Sequence, residues 1–249
     1  MDAVTERLIG FVMILTRLSA FFLVVPIFGS KGIPNTIKVT ILVVLAAFFS
    51  ITIPLPGGHT ARVLEVLLLL SNEAVYGLAL GLITAIVFGT VRAACEIVEQ
   101  QMGLSMAQVL DPLSGEMAQP LGMLMEMIFI VLFLNVNGHH LFLRTVAKSY
   151  EAFPAGTLPS LGGLTQGVLQ AGSVLLTEGL QMAAPILAAF LLLMVLLAVI
   201  ARVSPETNIL FMSLPLQMGL GLLLTAGMIP FVSDFVGRFA EWMGKLLPV

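Results

Sequence analysis

Ala171–Ile200 reads AGSVLLTEGLQMAAPILAAFLLLMVLLAVI, a run broken by one charge, Glu178, and one proline, Pro185. As a straight helix it would be about 45 Å long at 1.5 Å per residue, which exceeds the roughly 30 Å of hydrocarbon that about 20 apolar residues cross. Five further windows approach a spanning length: Leu8–Phe28, Ile37–Leu55, Val66–Val91, Leu121–Val136 and Ile209–Val232. Composition agrees. Of 249 residues, 59% are hydrophobic and only 10% charged, and the mean hydropathy is +1.08. Ordinary soluble domains are about 45–50% apolar and about 25% charged. The polar segments are too short for a separate aqueous core, so the chain reads as one integral membrane unit. The net charge of −3 points to no class of partner. The start, with Asp2, Glu6 and Arg7 before an apolar run that contains Arg17 and lacks an Ala-x-Ala exit, does not fit a cleaved signal peptide.

Several windows are poor lipid spans. The first holds Arg17, the third Glu73, the fourth is short and holds Glu126, and the fifth holds Glu178. An ionised group at bilayer depth costs at least a few kcal/mol unless it is paired or faces protein or water. These windows are therefore expected to pack on partners. Pro26, Pro54, Pro185, Pro215 and Pro230 fall within or at the ends of apolar runs, where each removes a backbone donor and crowds the preceding turn. Kinked or broken helices are expected, with Pro185 dividing its window into two half-helices or a bent hairpin arm. With six spans, Arg7, Arg62, Arg144, Lys148, Arg238 and Lys245 fall on one side and Lys31, Lys38, Arg92 and Arg202 on the other. That is a weak lean toward cytoplasmic termini. Gly29–Asn35, Pro54–Thr60 and Pro154–Gly163 carry the Gly, Pro and Asn that end helices. Both halves show an apolar arm, a polar break and a second arm, a pattern that suits stacked helical hairpins.

Nothing in the motifs points to catalysis. His139 and His140 are adjacent, so on a helix they point about 100° apart and do not share a metal as an i, i+4 pair does. HExxH, Gly-x-Ser-x-Gly and phosphate-loop signatures are missing from the sequence. The single cysteine, Cys95, has no partner for a disulfide or CxxC site and reads as a small buried residue. No enzyme, cofactor, metal or nucleic-acid role is expected.

Two charged or small-residue patterns invite attention. Glu73, Gly77 and Gly81 recur every four residues, a stripe that allows close helix approach within the chain or on another subunit. Arg92, Glu96 and Glu99 share a face; Arg92 and Glu96 can pair and leave Glu99 spare. The face is either a solvated helix end or a polar neck beside a partner or pore. Between the hydrophobic halves lies Gln100–Gly122, QQMGLSMAQVLDPLSGEMAQPLG. Met102, Met106, Val109, Leu110, Leu113 and Met117 are scattered among Gly103, Gly115, Pro112 and Pro120, so one regular amphipathic helix is ruled out. Asp111-Pro112 favours a turn. Such a segment is a re-entrant or surface loop tucked on the protein, or a soft methionine-rich seal.

These residues resemble the FliR family of the flagellar type III export apparatus, whose relatives serve virulence secretion. The marks, in order, are Arg17-Leu18-Ser19-Ala20 before Pro26-Ile27-Phe28-Gly29 and Ile33-Pro34; the Glu73, Gly77, Gly81 stripe; Gln101-Met102-Gly103-Leu104-Ser105 running to Asp111-Pro112; Asn137-Gly138-His139 with Ser149 and Pro154; and Ala201-Arg202-Val203-Ser204-Pro205-Glu206-Thr207-Asn208 with Leu214-Pro215. The resemblance implies an all-α membrane protein of kinked helical hairpins, packed in a helical multi-subunit assembly much of which stands above the inner membrane. It implies a FliP-like portion over roughly 1–165 and a FliQ-like portion over roughly 166–249. Its implied partners are FliP, FliQ, FlhB, FlhA and unfolded flagellar export substrates, in the basal body. It further implies that the loop from about Met106 to Gln119 plugs the closed pore, which makes Met106, Val109, Leu110, Asp111, Pro112, Leu113 and Met117 the gate residues. Hairpins of this kind need not cross the bilayer, so the literal six-span count is not expected to hold. The loop has no aromatic residue, so a seal there rests on flexible aliphatic side chains. From residues alone, a secondary transporter with broken helices around midplane charges and a non-gating assembly scaffold stay open.

Overall fold

The computed structural model describes residues 2–29, 34–53, 63–104, 119–157, 161–204 and 209–246. All regular structure among them is helical: α1 (Asp2–Val24), α2 (Pro26–Gly29), α3 (Asn35–Thr52), α4 (Val63–Gln101), α5 (Pro120–Asn135), α6 (Gly138–Ala152), α7 (Leu161–Val203) and α8 (Ile209–Leu246). The protein is an all-α membrane protein. Five of these helices are long and apolar enough to cross a membrane, or six if α5 and α6 count as one broken span.

The prolines act unequally. α7 runs unbroken for 43 residues with Pro185 inside it, and α8 for 38 residues with Pro215 and Pro230 inside. The expected division into two half-helices at Pro185 does not occur. A proline deletes one intrahelical hydrogen bond, but the turns on either side keep theirs, and in an apolar setting no water competes for them. A break does occur at the first of the expected prolines, Pro26, and another falls away from proline; Pro54 lies outside the described residues. α1 stops at Val24, and Pro26 opens α2. α5 and α6 are separated at Val136 and Asn137, with Asn137 in the left-handed region at φ 59°, a conformation asparagine tolerates better than most residues.

The chain forms two compact units, one of residues 1–87, 136–173 and 239–249, the other of residues 88–135 and 174–238. In the first, α1 packs on α3, and its core joins Met13, Ile14, Leu18 and Phe21 to Tyr76, Leu80 and Ile83 of α4 and to Phe142 and Val146 of α6. The Phe21 and Phe142 rings meet edge-on at 6.0 Å. Gly77 and Gly81 allow the close contact of α1 with α4. A Cβ on Gly77 would fall on the Arg17 carbonyl oxygen and 2.7 Å from Ala20 Cβ; one on Gly81 would lie 2.9 Å from the Phe21 carbonyl oxygen.

In the second unit, Phe88 of α4 meets Phe129 and Phe133 of α5 at 4.8 and 5.1 Å, and Phe129 meets Phe235 of α8 at 5.7 Å. Such aromatic pairs add about 0.5–1.5 kcal/mol each beyond the area they bury.

Much apolar surface is left uncovered. On α7 within the second unit the exposed large side chains run from Leu176 through Leu191, Leu192 and Val195 to Val203, a span of about 40 Å at helical rise.

Candidate functional site: two charged clusters in an apolar frame

Arg17 and Glu73, each a misfit in its own apolar window, are partners. Both side chains are fully buried, and Arg17 Nε donates to Glu73 Oε2 at 2.6 Å. The rest of the guanidinium is also satisfied. Nη1 donates to the Ser149 hydroxyl at 3.2 Å, to the Ser149 carbonyl at 3.3 Å and to the Phe153 carbonyl at 3.1 Å, and Nη2 to the same Phe153 carbonyl at 3.1 Å. Those carbonyls end α6, where the helix dipole favours a cation. Tyr150 and Tyr76 cover the guanidinium, with Cζ 3.9 and 4.9 Å from their ring centres. Glu73 Oε1 accepts the Gly156 N–H at 2.9 Å. A buried ion pair is tolerable only when its remaining donors and lone pairs are met, and here every guanidinium nitrogen and both carboxylate oxygens have a partner. Gly77 lies one helical turn beyond Glu73 and places the Arg17 backbone against α4, so the stripe predicted from spacing serves packing within the chain.

The second cluster lies where α4 ends and α5 begins. Arg92 Nε donates to Glu96 Oε1 at 3.0 Å, Nη1 to Glu126 Oε2 at 3.4 Å and Nη2 to Gln119 Oε1 at 3.2 Å. The Arg92 side chain is 42% exposed and Glu96 31%. The expected Arg92–Glu96 pair forms. Glu99, expected to be spare, is not: it is buried and accepts the N–H groups of both Leu121 and Gly122. Spacing along one helix could not reveal this, because the donors come from a second helix. Glu178 pairs with Arg238 at 3.2 Å across α7 and α8.

The gate residues named from the sequence, Met106, Val109, Leu110, Asp111, Pro112, Leu113 and Met117, lie outside the described residues. Their flanks do not. α4 closes with the Met102 N–H on the Val98 carbonyl at 3.0 Å, and Gly103 follows at φ 75°, a left-handed step suited to glycine. Met102 is buried and packs on Gly221, where a Cβ would collide with its side chain. The His139 and His140 rings lie tilted to each other by 38°, their centres 4.2 Å apart. Among the described residues, no group of three or more His, Cys, Asp or Glu could hold a metal ion.

Sequence reasoning flagged Arg17, Glu73, Glu126 and Glu178 one by one as misplaced charges and missed their pairing. The signal was present: each carboxylate stranded in an apolar window implies a cation, and the partners are Arg17 within another window and Arg92 and Arg238 just beyond the ends of two others.

Long apolar helices that pair their carboxylates with arginines while leaving leucine-rich faces bare define an all-α membrane protein. A family model described as bacterial export proteins, family 1, matches residues 8–243, and the chain belongs to that family. Among its relatives is flagellar biosynthetic protein FliR of Escherichia coli (strain K12), 29% identical over 234 residues that cover 94% of this chain and 89% of the relative. FliR of Bacillus subtilis (strain 168) is 28% identical over 231 residues, 90% of this chain and 87% of the relative. FliR of Aquifex aeolicus (strain VF5) is 26% identical over 235 residues, covering 94% and 91%.

Proposed function

We propose that this chain is a core subunit of the flagellar type III export gate in the bacterial inner membrane. It forms part of the channel through which unfolded flagellar proteins pass, and its loop from about Met106 to Gln119 plugs the closed pore. The observation that carries the reading is the match to a family of bacterial export proteins along residues 8–243, with FliR relatives at similar coverage. The bare apolar faces support an assembly. About 40 Å of exposed leucine and valine on the second-unit part of α7 exceeds a hydrocarbon core of about 30 Å at the average tilt of about 20°. Part of that face therefore needs protein against it, and FliP, FliQ, FlhB and FlhA are the partners proposed, with residues 1–165 as the FliP-like and 166–249 as the FliQ-like portion.

The mechanism is steric. Met106, Leu110, Leu113 and Met117 form a removable apolar seal against ions, the helices supply the wall, and Arg92, Glu96 and Glu99 form the polar neck beside it. No bond is made or broken, and the work of opening comes from substrate, partners or the proton gradient. Deleting Ser105–Ala118 should leave the complex assembled and make resting cells leak ions, read as loss of membrane potential beside a motility assay. A deletion complex that assembles and stays ion-tight would sink the plug.

A further inference from the structure

Unlike the other long helices, α6 is not apolar on average, and its polar and apolar residues are segregated. Its inner side, Phe142, Thr145, Val146, Ser149 and Tyr150, is buried in the first unit. Its outer side carries His140, Arg144, Lys148 and Glu151, all exposed. At about 100° per residue these four fall within about 80° of one another, opposite the buried set. Among the described residues neither Arg144 nor Lys148 forms an ion pair, with Glu151 or with any other carboxylate. Two cations thus stand one helical turn apart, about 6 Å along the axis, with nothing in the described residues to neutralise them.

The position of this face limits what it can meet. Arg17 bonds to Glu73 in one direction and to the Ser149 and Phe153 carbonyls in the other, and Phe21 touches Phe142. Arg17 and Phe21 stand on either side of the middle of the Leu8–Phe28 window, so α6 lies alongside that window and not beyond its end. α3 flanks α1 on the other side. The groove between them is lined by Ser19, Phe22 and Leu23 of α1, which point away from Arg17 and Phe21 at helical spacing. Outward, α3 exposes Val39, Val43, Val44, Phe48 and Ile51. The α3 side of the unit therefore suits hydrocarbon or an apolar partner. The α6 side does not, because ionised Arg and Lys abreast of an apolar window need water or a polar partner. Lipid headgroups match it poorly, since they lie at the ends of spans and this row runs past the middle of one.

We propose that the outer face of α6 is a docking strip for an acidic helical segment of another chain in the export assembly, with carboxylates one turn apart set against Arg144 and Lys148. Charge complementarity selects that occupant: a rigid row of cations at helical spacing is matched by carboxylates three or four residues apart on a facing helix. The strip is already held in place by the bonds of Arg17 to the end of α6, so little ordering cost falls on this side of the contact. The proposal rests on the reading of the chain as an assembly subunit and adds to it a place and a sign of charge.

The test uses the full chain in flagellated cells. The parent, a double reversal (Arg144→Glu with Lys148→Glu) and a double neutralisation (Arg144→Gln with Lys148→Gln) are compared for recovery in the purified assembly at low and high salt. A photo-crosslinking amino acid in place of His140 reports what lies against the face. The double reversal should cut recovery at low salt by about tenfold, as like charges are brought together. The neutralised variant should assemble at the level the parent shows in high salt and lose its dependence on salt. The crosslink should fall on a stretch of another chain with two carboxylates three or four residues apart, and changing those to lysine should restore the double reversal. Parental recovery of the double reversal, a crosslink to lipid alone, or a lysine swap without effect overturns the strip. Both side chains are exposed, so thermal stability of the isolated chain in mild detergent should not change; if the double reversal melts early, the neutralised variant decides, and parental recovery there overturns the proposal. A parent that purifies with no other protein sinks the assembly reading and the strip together, whereas a parent and a double reversal that assemble equally well sink the strip alone.

Discussion

The Arg17–Glu73 cluster and the Arg92–Glu99 cluster use the same residue types to opposite ends. The first is closed: both charges are fully buried, and the ordered backbone of α6 and the Gly156 turn meets what the pair leaves over. The second is open on one side, with Arg92 and Glu96 partly in contact with solvent and Glu99 alone committed to the interior. Burial makes the first a staple for three helices. Partial exposure makes the second a junction that can be adjusted without unfolding the unit.

Breaking the first cluster should therefore have the largest effect. Glu73→Ala leaves a buried guanidinium without its counter-charge and should destabilise the protein by about 3–5 kcal/mol, the usual penalty for orphaning one member of a buried pair. Steady-state level in cells and thermal stability in mild detergent report it, and a variant as stable as the parent would show that the pair is not the staple described. Gly77→Val comes next. Its side chain would press on the Arg17 backbone and Ala20, and overpacking of this kind costs about 1–3 kcal/mol. The accompanying loss of α1–α4 contact should appear as faster proteolysis of the first unit, whereas unchanged proteolysis would mean the two helices can part without consequence.

At the small end lies the Arg92–Glu96 pair. A double-mutant cycle with Arg92→Gln and Glu96→Gln should return a coupling of about 0.3–0.5 kcal/mol, as for other exposed i, i+4 pairs. A coupling several times larger would erase the contrast with Arg17–Glu73.

Hydropathy made the long helices legible: Val66–Val91, Ala171–Ile200 and Ile209–Val232 fall inside α4, α7 and α8, Leu8–Phe28 runs across α1 and α2, Leu121–Val136 overruns α5 by one residue, and Ile37–Leu55 runs past the end of α3 at Thr52. It understated their lengths. α4 continues ten residues beyond Val91 to Gln101, and α7 begins ten before Ala171 at Leu161; in both extensions polar residues dilute the apolar signal while the backbone hydrogen bonding continues. α6 lies outside every window, since its sequence GHHLFLRTVAKSYEA is not apolar on average. Its buried residues Phe142, Thr145, Val146, Ser149 and Tyr150 follow the three-and-four spacing of a half-covered helix. Periodicity could have found α6; average hydropathy could not. The glycine stripe was legible as close packing because Gly77 and Gly81 are four residues apart, but its partner was not, because α1 lies more than fifty residues upstream. Glu99 was misjudged for the same reason.

The buried state of Cys95 has a practical consequence. It is the single cysteine of the chain and fully enclosed, so a water-borne maleimide finds no native thiol to react with. One engineered thiol, as in Leu110→Cys, then becomes the sole reporter in this subunit. Labelling it in resting and exporting cells gives the proposed plug a direct readout, residue by residue from Met106 to Met117, without first removing a native cysteine.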